Sequence, residues 1–162
     1  MRITDKYVFF WSGIYSNWHP SPFQANGIWY NCSEQYLMAG KARLFGDTDT
    51  ESKILSAINP SDQKRYGRQV KGFDKDRWDA VAKDVMYEAL FAKFTQDDYL
   101  KEQLLSTGDR TIVEASPEDC IWGIGLHWKD RLCDDPKNWR GTNWLGESLT
   151  KVRNDIRLLG IV

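Results

Sequence analysis

The most regular pattern of hydrophobic positions lies between residues 75 and 95. Apolar side chains recur there at steps of three and four residues, at Trp78, Val81, Ala82, Val85, Met86, Ala89, Leu90 and Phe94. This spacing places them along one face of an α-helix. The pattern therefore predicts a long helix that starts at Asp74 or Lys75, ends near Thr95 and buries one face.

Shorter stretches of the same kind predict five more helices. Their boundaries follow from glycine, proline and capping residues, and the predicted spans are 32–45, 51–58, 61–67, 98–105 and 146–159. Asn31 precedes the first of these helices, and Glu34 follows Asn31 after three residues. This spacing predicts a capping box in which Asn31 caps the helix.

Three short stretches favour β-strands. Residues 7–11 and 111–114 are rich in aromatic or β-branched side chains, and Asn26-Gly27 before residues 28–30 is typical of a hairpin turn. Residues 116–143 are expected to form a tryptophan-rich loop region. Together these elements predict an α+β, predominantly α-helical fold with a few short strands. Because 162 residues are a usual length for one domain, we predict a single domain over residues 1–162.

Composition and charge narrow the class of protein. Hydrophobic residues make up 41% and charged residues 28% of the chain, which fits a globular protein and excludes a disordered one. The net charge of -1 gives no overall attraction to nucleic acid or to an anionic membrane. It is still compatible with a local basic pocket that binds a small phosphate ester. Residues 1–6 are polar, and no apolar run approaches the ~20 residues that span a bilayer. We therefore expect a cytoplasmic protein without a membrane partner.

Cysteine and histidine are too sparse to indicate a metal centre. Cys32, Cys120 and Cys133 include no CxxC pair, and His19 and His127 have no recognised metal-binding spacing. We predict no disulfide framework, no metal site and no cofactor.

Aromatic residues are unusually frequent, with 8 Trp, 7 Tyr and 7 Phe. Many fall in the first 36 residues, and four tryptophans follow at Trp122, Trp128, Trp139 and Trp144. Aromatic side chains bury large areas, so one interpretation is a core built from the two ends of the chain. The other is a surface on which a flat base stacks.

The predicted helix over 32–45 carries charge at both ends of one face. Glu34 and Lys41 are seven residues apart, which places them on the same face about 10 Å apart along the axis. They could be a capping carboxylate and a lysine whose stem lies on apolar surface. Alternatively, the carboxylate and the amine converge on one pocket.

Two loop segments are further candidates. Asp119 precedes a Gly123-Ile-Gly125 pair that allows a close backbone approach to a ligand, although a tight turn has the same pattern. Arg140 and Asn143 lead into the last helix, where free N–H groups suit a phosphate, although Asn143 could simply be an N-cap. Arg68 offers another basic corner. No nucleophile triad, Walker loop or dinucleotide fingerprint is present.

The chain resembles the YbiA-like, or NADAR, family along nearly its whole length. The order and spacing of the matching pieces make this resemblance specific. The pieces are Ser16-Asn17-Trp18, Pro22-Phe23, Tyr30-Asn31-Cys32-Ser33-Glu34-Gln35-Tyr36 continuing to Lys41, Gly67-Arg68, Trp78, Ala92-Lys93-Phe94, Val113-Glu114, Asp119 to Gly123, and Asn143-Trp144-Leu145-Gly146.

The resemblance implies a mainly helical fold and an N-glycosidase activity. Its substrates would be phosphorylated ribosyl compounds, either riboflavin-pathway pyrimidine intermediates or ADP-ribose conjugates, including an ADP-ribosylated nucleic acid base. This chain has a longer loop over residues 126–140 than the shorter family members. The resemblance therefore does not decide which of these substrates it uses. The implied catalytic residues are Glu34, Lys41 and Asp119. The implied substrate-binding residues are Asn17, Trp18, Tyr36, Arg68, Trp122, Gly123, Asn143 and Trp144.

A mechanism follows from these residue types. Glu34 would stabilise positive charge at the anomeric carbon or place a water molecule. Lys41 would bind a phosphate or form a Schiff base. Asp119 would hold the ribose hydroxyls or orient Lys41, and Trp18 or Trp122 would stack on the base. Two rival interpretations are a non-catalytic ADP-ribose-binding module and an interaction protein with an aromatic partner surface. The sequence leaves the oligomeric state open.

Overall fold

The computed structural model describes residues 1–161 of the 162-residue chain. Within these residues there are six α-helices and five short β-strands. The helices are α1 (Ser33–Leu44), α2 (Thr48–Ser56), α3 (Pro60–Gly67), α4 (Lys75–Thr95), α5 (Asp98–Ser106) and α6 (Trp144–Leu159). The strands are β1 (Arg2–Ile3), β2 (Tyr7–Phe10), β3 (Phe23–Ala25), β4 (Ile28–Tyr30) and β5 (Thr111–Glu114). The predicted α+β, predominantly helical class is confirmed.

The described residues form two compact units. The terminal unit contains Met1–Ser16 and residues 97–161, and the central unit contains Asn17–Gln96. β1, β2, β5, α5 and α6 belong to the terminal unit, whereas β3, β4 and α1 to α4 belong to the central unit. The single domain over residues 1–162 stays a prediction.

A three-stranded sheet with the order β1-β2-β5 organises the terminal unit. β1 and β2 are antiparallel, whereas β2 and β5 are parallel, from the pair Tyr7 and Thr111 to the pair Phe10 and Glu114. α6 packs on β5, and α5 packs on α6. The loop after β5 therefore begins at the carboxyl edge of a parallel strand pair, where α/β proteins commonly bind ligands.

α1 occupies the middle of the central unit. It packs against α2, α3 and α4 and contacts β4, and eight of its 12 residues are buried. The Asn26-Gly27 turn joins β3 to β4 with positive φ angles of 52° and 78°, which confirms the predicted hairpin. Because helices cover α1 on several sides, polar and apolar side chains of α1 are buried together.

The predicted capping box of α1 is wrong. Cys32, not Asn31, is the N-cap residue, and its side chain makes no cap hydrogen bond. Asn31 Nδ2 instead donates to the Ile58 carbonyl at 2.9 Å, and Asn31 Oδ1 accepts from Gln63 Nε2 at 3.0 Å. Gln35 Oε1, rather than the Glu34 carboxylate, accepts from the Asn31 backbone N–H at 2.8 Å. Glu34 therefore does not close a capping box.

Several other boundaries also differ from the prediction. α2 begins at Thr48 because Asp47 caps it, accepting from the Thr50 N–H at 3.1 Å. α6 begins at Trp144, two residues early, with Asn143 as its N-cap. β1 has only two residues, which are too few to show a periodic pattern. Two short 3-10 turns, Arg131–Asp134 and Pro136–Asn138, lie in the predicted loop region.

Two buried glutamines hold the start of α1 against its neighbours. The Ala57 carbonyl, just after α2, accepts from Gln35 Nε2 at 3.3 Å and from Gln63 Nε2 at 2.8 Å. Gln63 Oε1 accepts from the Cys32 thiol at 3.2 Å. Leaving a buried amide unpaired costs about 1–3 kcal/mol. These bonds therefore fix the backbone from which the Glu34 side chain projects.

Candidate functional site

Glu34 is a buried carboxylate in the first turn of α1. Its side chain is only 6% exposed, and its backbone N–H donates to the Asn17 carbonyl at 3.1 Å. Asn17 is also buried, and its side-chain Oδ1 has no hydrogen-bond partner within residues 1–161. The positive end of the helix dipole favours a negative charge at this place. The structure thus brings Asn17 and Glu34 together.

Lys41 lies in the last turn of α1 and is half-buried. Burial is the main cause that lowers the pKa of its amine. The negative charge of Glu34 raises that pKa, and the positive charge of Arg68 lowers it further. The Lys41 ammonium also lies 4.4 Å from the centroid of the Phe73 ring. The predicted site residues Glu34, Lys41 and Arg68 are therefore electrostatic neighbours in the central unit.

Lys93 carries a buried amine whose burial the sequence did not reveal. It lies on α4 with 1% exposure, and burial lowers the pKa of its amine to about 7, while Cys32 raises it. Burial is the main cause that lowers the pKa of His19, and the charge of Lys93 lowers it further. Position 93 falls on the apolar stripe of α4, three residues after Leu90, and that placement was the available signal.

Trp18 and Tyr36 differ in what their polar and aromatic groups already contact. Trp18 is 44% exposed, with the Lys64 ammonium 6.0 Å from its ring centroid. Tyr36 is buried against Tyr30, and its hydroxyl donates to Glu88 at 2.7 Å. Burial is the main cause that raises the Tyr36 pKa, and the bond to Glu88 adds to it. The Trp18 ring is therefore partly exposed, whereas Tyr36 has a packing role.

Asp119 organises the turn after β5. Its Oδ1 accepts from the backbone N–H groups of Ile121 and Trp122, both at 2.8 Å, and its carbonyl accepts from the Gly125 N–H at 3.1 Å. A carboxylate that receives two backbone bonds is held in one orientation. Asp119 is thus a structural element of this loop, and a catalytic role for it stays a prediction.

Gly123 allows this loop to pass close to β5. A Cβ atom at Gly123 would lie 2.9 Å from the carbonyl oxygens of both Asp119 and Glu114. The backbone of the loop also accepts hydrogen bonds from the segment that precedes α6, with Trp144 N–H donating to the Ile121 carbonyl at 3.1 Å. Any larger residue at position 123 would push this loop away from β5.

Asn143 fastens the start of α6 to β5. Its Nδ2 donates to the Ile112 carbonyl at 3.0 Å, and its Oδ1 accepts from the Glu114 N–H at 3.0 Å. Its backbone has a φ angle of 53°, in the left-handed region. Trp144, the next residue, meets Trp122 edge to face with centroids 5.6 Å apart. The predicted residues Trp122, Asn143 and Trp144 therefore lie close together. The side-chain amide of Asn143 is already hydrogen-bonded to the backbone of β5.

Neither a metal centre nor a membrane span emerges from the described part of the chain. Residues 1–161 contain no group of three or more His, Cys, Asp or Glu side chains placed to hold a metal ion. No helix in that range has the length and apolar character that crossing a membrane requires.

The chain is similar to known proteins over most of its length. A family model described as the NADAR domain matches residues 9–157. Protein irg-1 of Caenorhabditis elegans is 40% identical over 172 residues, which cover 94% of this chain and 81% of that protein. N-glycosidase R617 of Acanthamoeba polyphaga mimivirus is 41% identical over 165 residues, which cover 94% of this chain and 97% of that protein. The NMR structure of the Escherichia coli protein YbiA matches with a TM-score of 0.80 and 28% identity, covering 98% of this chain and 89% of that one.

Replacing Asn143 should destabilise the protein through the contact with β5. Asn143→Ala removes one buried and one part-buried hydrogen bond and places an alanine at a positive φ angle. We expect the free energy of unfolding to fall by about 2–4 kcal/mol, measured by urea denaturation. Asn138→Ala, which removes one exposed bond, is the matched control and should cost less than about 1 kcal/mol. Equal effects of the two substitutions would contradict this role.

Lys93 should make stability depend on pH. Its pKa is about 7 in the folded protein and about 10.4 when unfolded. Between these values the unfolded chain binds a proton that the folded chain does not, so stability rises with pH in that window. In Lys93→Met we expect the slope of unfolding free energy against pH to be smaller by up to about 1.4 kcal/mol per unit. Urea denaturation at pH 7 to 10 measures this slope, and Lys53→Met, at an exposed lysine, is the control. An unchanged slope in Lys93→Met would contradict the lowered pKa of Lys93.

Proposed function

The chain belongs to the NADAR, or YbiA-like, family, and from this premise we propose that it is an N-glycosidase. The bond it hydrolyses joins a ribose to a nitrogen base in a phosphorylated, nucleotide-like substrate. The name of the mimivirus relative, N-glycosidase R617, supports a hydrolase acting on N-glycosyl compounds. Two substrate groups are candidates: ADP-ribosyl-guanine conjugates and ribosylamino-pyrimidine phosphates of riboflavin synthesis.

The grouping of one buried carboxylate with two cations carries this proposal. Glu34 acts electrostatically on Lys41, and Arg68 acts on the same amine. Cleavage of an N-glycosidic bond builds positive charge at the anomeric carbon, which a nearby carboxylate stabilises strongly in a site of low dielectric constant. We assign this role to Glu34, or the role of a general base that takes a proton from the attacking water.

Lys41 has two possible roles in the reaction. As a cation, it would bind a substrate phosphate together with Arg68. As a nucleophile, its neutral amine would attack the anomeric carbon while the bond to the base breaks and the base leaves with the electron pair. The attacking nitrogen loses a proton, the departing base gains one, and ring opening gives a Schiff base that water hydrolyses. Burial supports the second role because it lowers the Lys41 pKa and so enlarges the neutral fraction.

The family resemblance supports contacts of Asp119, Trp18 and Trp122 to the sugar and the base. We propose that Asp119 binds ribose hydroxyls through Oδ2, since Oδ1 already accepts two backbone bonds. Trp18 or Trp122 would stack on the departing base, and such stacking contributes about 1–3 kcal/mol per base in single-strand binders. Gly123, Asn143 and Trp144 would shape this region through their backbone and packing contacts.

Substitution of Glu34 tests the hydrolase. The purified protein, without added metal, is incubated with ADP-ribosylated guanosine and with a phosphoribosylamino-pyrimidine, and mass spectrometry detects the released base. We expect Glu34→Gln to lower kcat by at least about 100-fold with ligand affinity and fold retained, because the amide carries no charge. Glu102→Gln, at an exposed glutamate of α5, is the control.

Either of two outcomes would count against the proposal. Full activity of Glu34→Gln would remove the assigned role of this carboxylate. Binding of ADP-ribose by a wild-type protein that releases no base from either substrate would select the non-catalytic binding module.

Lys41→Arg separates the two roles of the lysine. If the amine forms a Schiff base, borohydride should trap a sugar adduct on Lys41 of the wild type, and Lys41→Arg should be inactive and untrapped. If Lys41 only binds phosphate, the arginine keeps the charge and should retain much of the activity. Peptide mass spectrometry locates the adduct. An adduct on a different residue, with Lys41→Arg active, would exclude the nucleophilic role.

A further inference from the structure

Phe73 is an exposed aromatic residue beside the candidate catalytic amine. It lies between α3 and α4, directly after Gly72, and 46% of its surface is exposed. The Lys41 ammonium is 4.4 Å from its ring centroid, and Phe45 meets the ring at 66° with centroids 5.5 Å apart. The ring therefore has contacts that hold it in place and also an area open to a ligand.

The segment that carries Phe73 is fixed to the core at two places. A Cβ atom at Gly67, the last residue of α3, would lie 2.0 Å from Met38 Sδ on α1, so a larger residue there would require the Met38 side chain to shift. Farther along, the Lys71 backbone N–H donates to Asp47 Oδ2 at 2.9 Å. These contacts hold the segment beside the face of α1 that bears Lys41.

The charges around Phe73 suit a phosphorylated ligand. Arg68 caps the C-terminal end of α3, is exposed, and acts electrostatically on Lys41. The Lys41 ammonium beside an exposed aromatic ring, with the Arg68 guanidinium acting on the same ammonium, offers two complementary contacts. The cations attract a phosphate, and the ring stacks on a planar base.

We propose that Phe73 forms the aromatic wall of a base subsite, in which Lys41, in its phosphate-binding role, and Arg68 bind the phosphate of the same nucleotide. This proposal rests on the proposed function and names a residue that sets substrate specificity. A substrate with a base and a phosphate on one ribose would use both parts of the subsite. A phosphorylated sugar without a base would use only the cations.

Calorimetric titration with two probes tests this subsite. The probes are adenosine 5′-monophosphate and ribose 5-phosphate, which differ by the base. Phe73→Ala should weaken binding of the nucleotide about 10-fold, the size expected for one lost stacking contact, and change binding of the sugar phosphate less than about 2-fold. Phe73→Tyr should restore nucleotide binding, whereas Arg68→Ala should weaken both probes. Trp29→Ala, at an exposed tryptophan of β4, is the matched control and should change neither.

Other outcomes would overturn the subsite. Equal weakening of both probes in Phe73→Ala would mean that the ring acts only through Lys41, and no weakening would mean that it contacts no base. Failure of the wild type to bind either probe would also overturn it. The proposed function fails separately: a protein that shows the Phe73-dependent difference in binding but releases no base has the subsite without the hydrolase. A protein that releases the base, and whose Phe73→Ala variant binds both probes as tightly as the wild type, has the hydrolase activity without the subsite.

Discussion

The burial of the first turn of α1 is the constraint on which the candidate site depends. Because α2, α3 and α4 all pack on α1, polar groups on this helix must find partners inside the protein. Gln35 of α1 meets that requirement by donating to the Ala57 carbonyl, which also accepts from Gln63 of α3. A rotation of α1 would break these bonds, so the directions in which Glu34 and Lys41 project are set by the packing.

Desolvation is the second force acting on the central unit. It is the main cause that lowers the pKa values of both Lys41 and Lys93, and it is only partly opposed by nearby Glu34 and Cys32. Keeping cations out of water lowers stability, and perturbed groups of this kind concentrate at functional sites. The central unit thus combines chemically tuned side chains with a firmly bonded backbone. That combination is what catalysis by a positioned carboxylate and amine requires.

The sequence predicted those parts of the fold whose signals are local. The apolar stripe of α4 and the Asn26-Gly27 turn each lie within one element, and both predictions are confirmed. The capping role of Asn31 failed because its amide bonds to residues about thirty positions later. Lys93 was missed because a lysine on an apolar stripe is usually read as surface, and only the packing shows its burial. Similarly, the bonds of Asn143 to β5 join distant segments and leave no local pattern.

The two units use their matching family motifs in physically different ways. In the terminal unit, Asp119, Gly123 and Asn143 satisfy backbone groups or permit close approach, so their identities are dictated mainly by geometry. In the central unit, Glu34 is a buried carboxylate that acts electrostatically on the half-buried Lys41 amine. Gln35, not Glu34, accepts from the Asn31 N–H before α1. Buried charged groups with perturbed pKa values are concentrated at functional sites. The proposed reaction is therefore centred on α1.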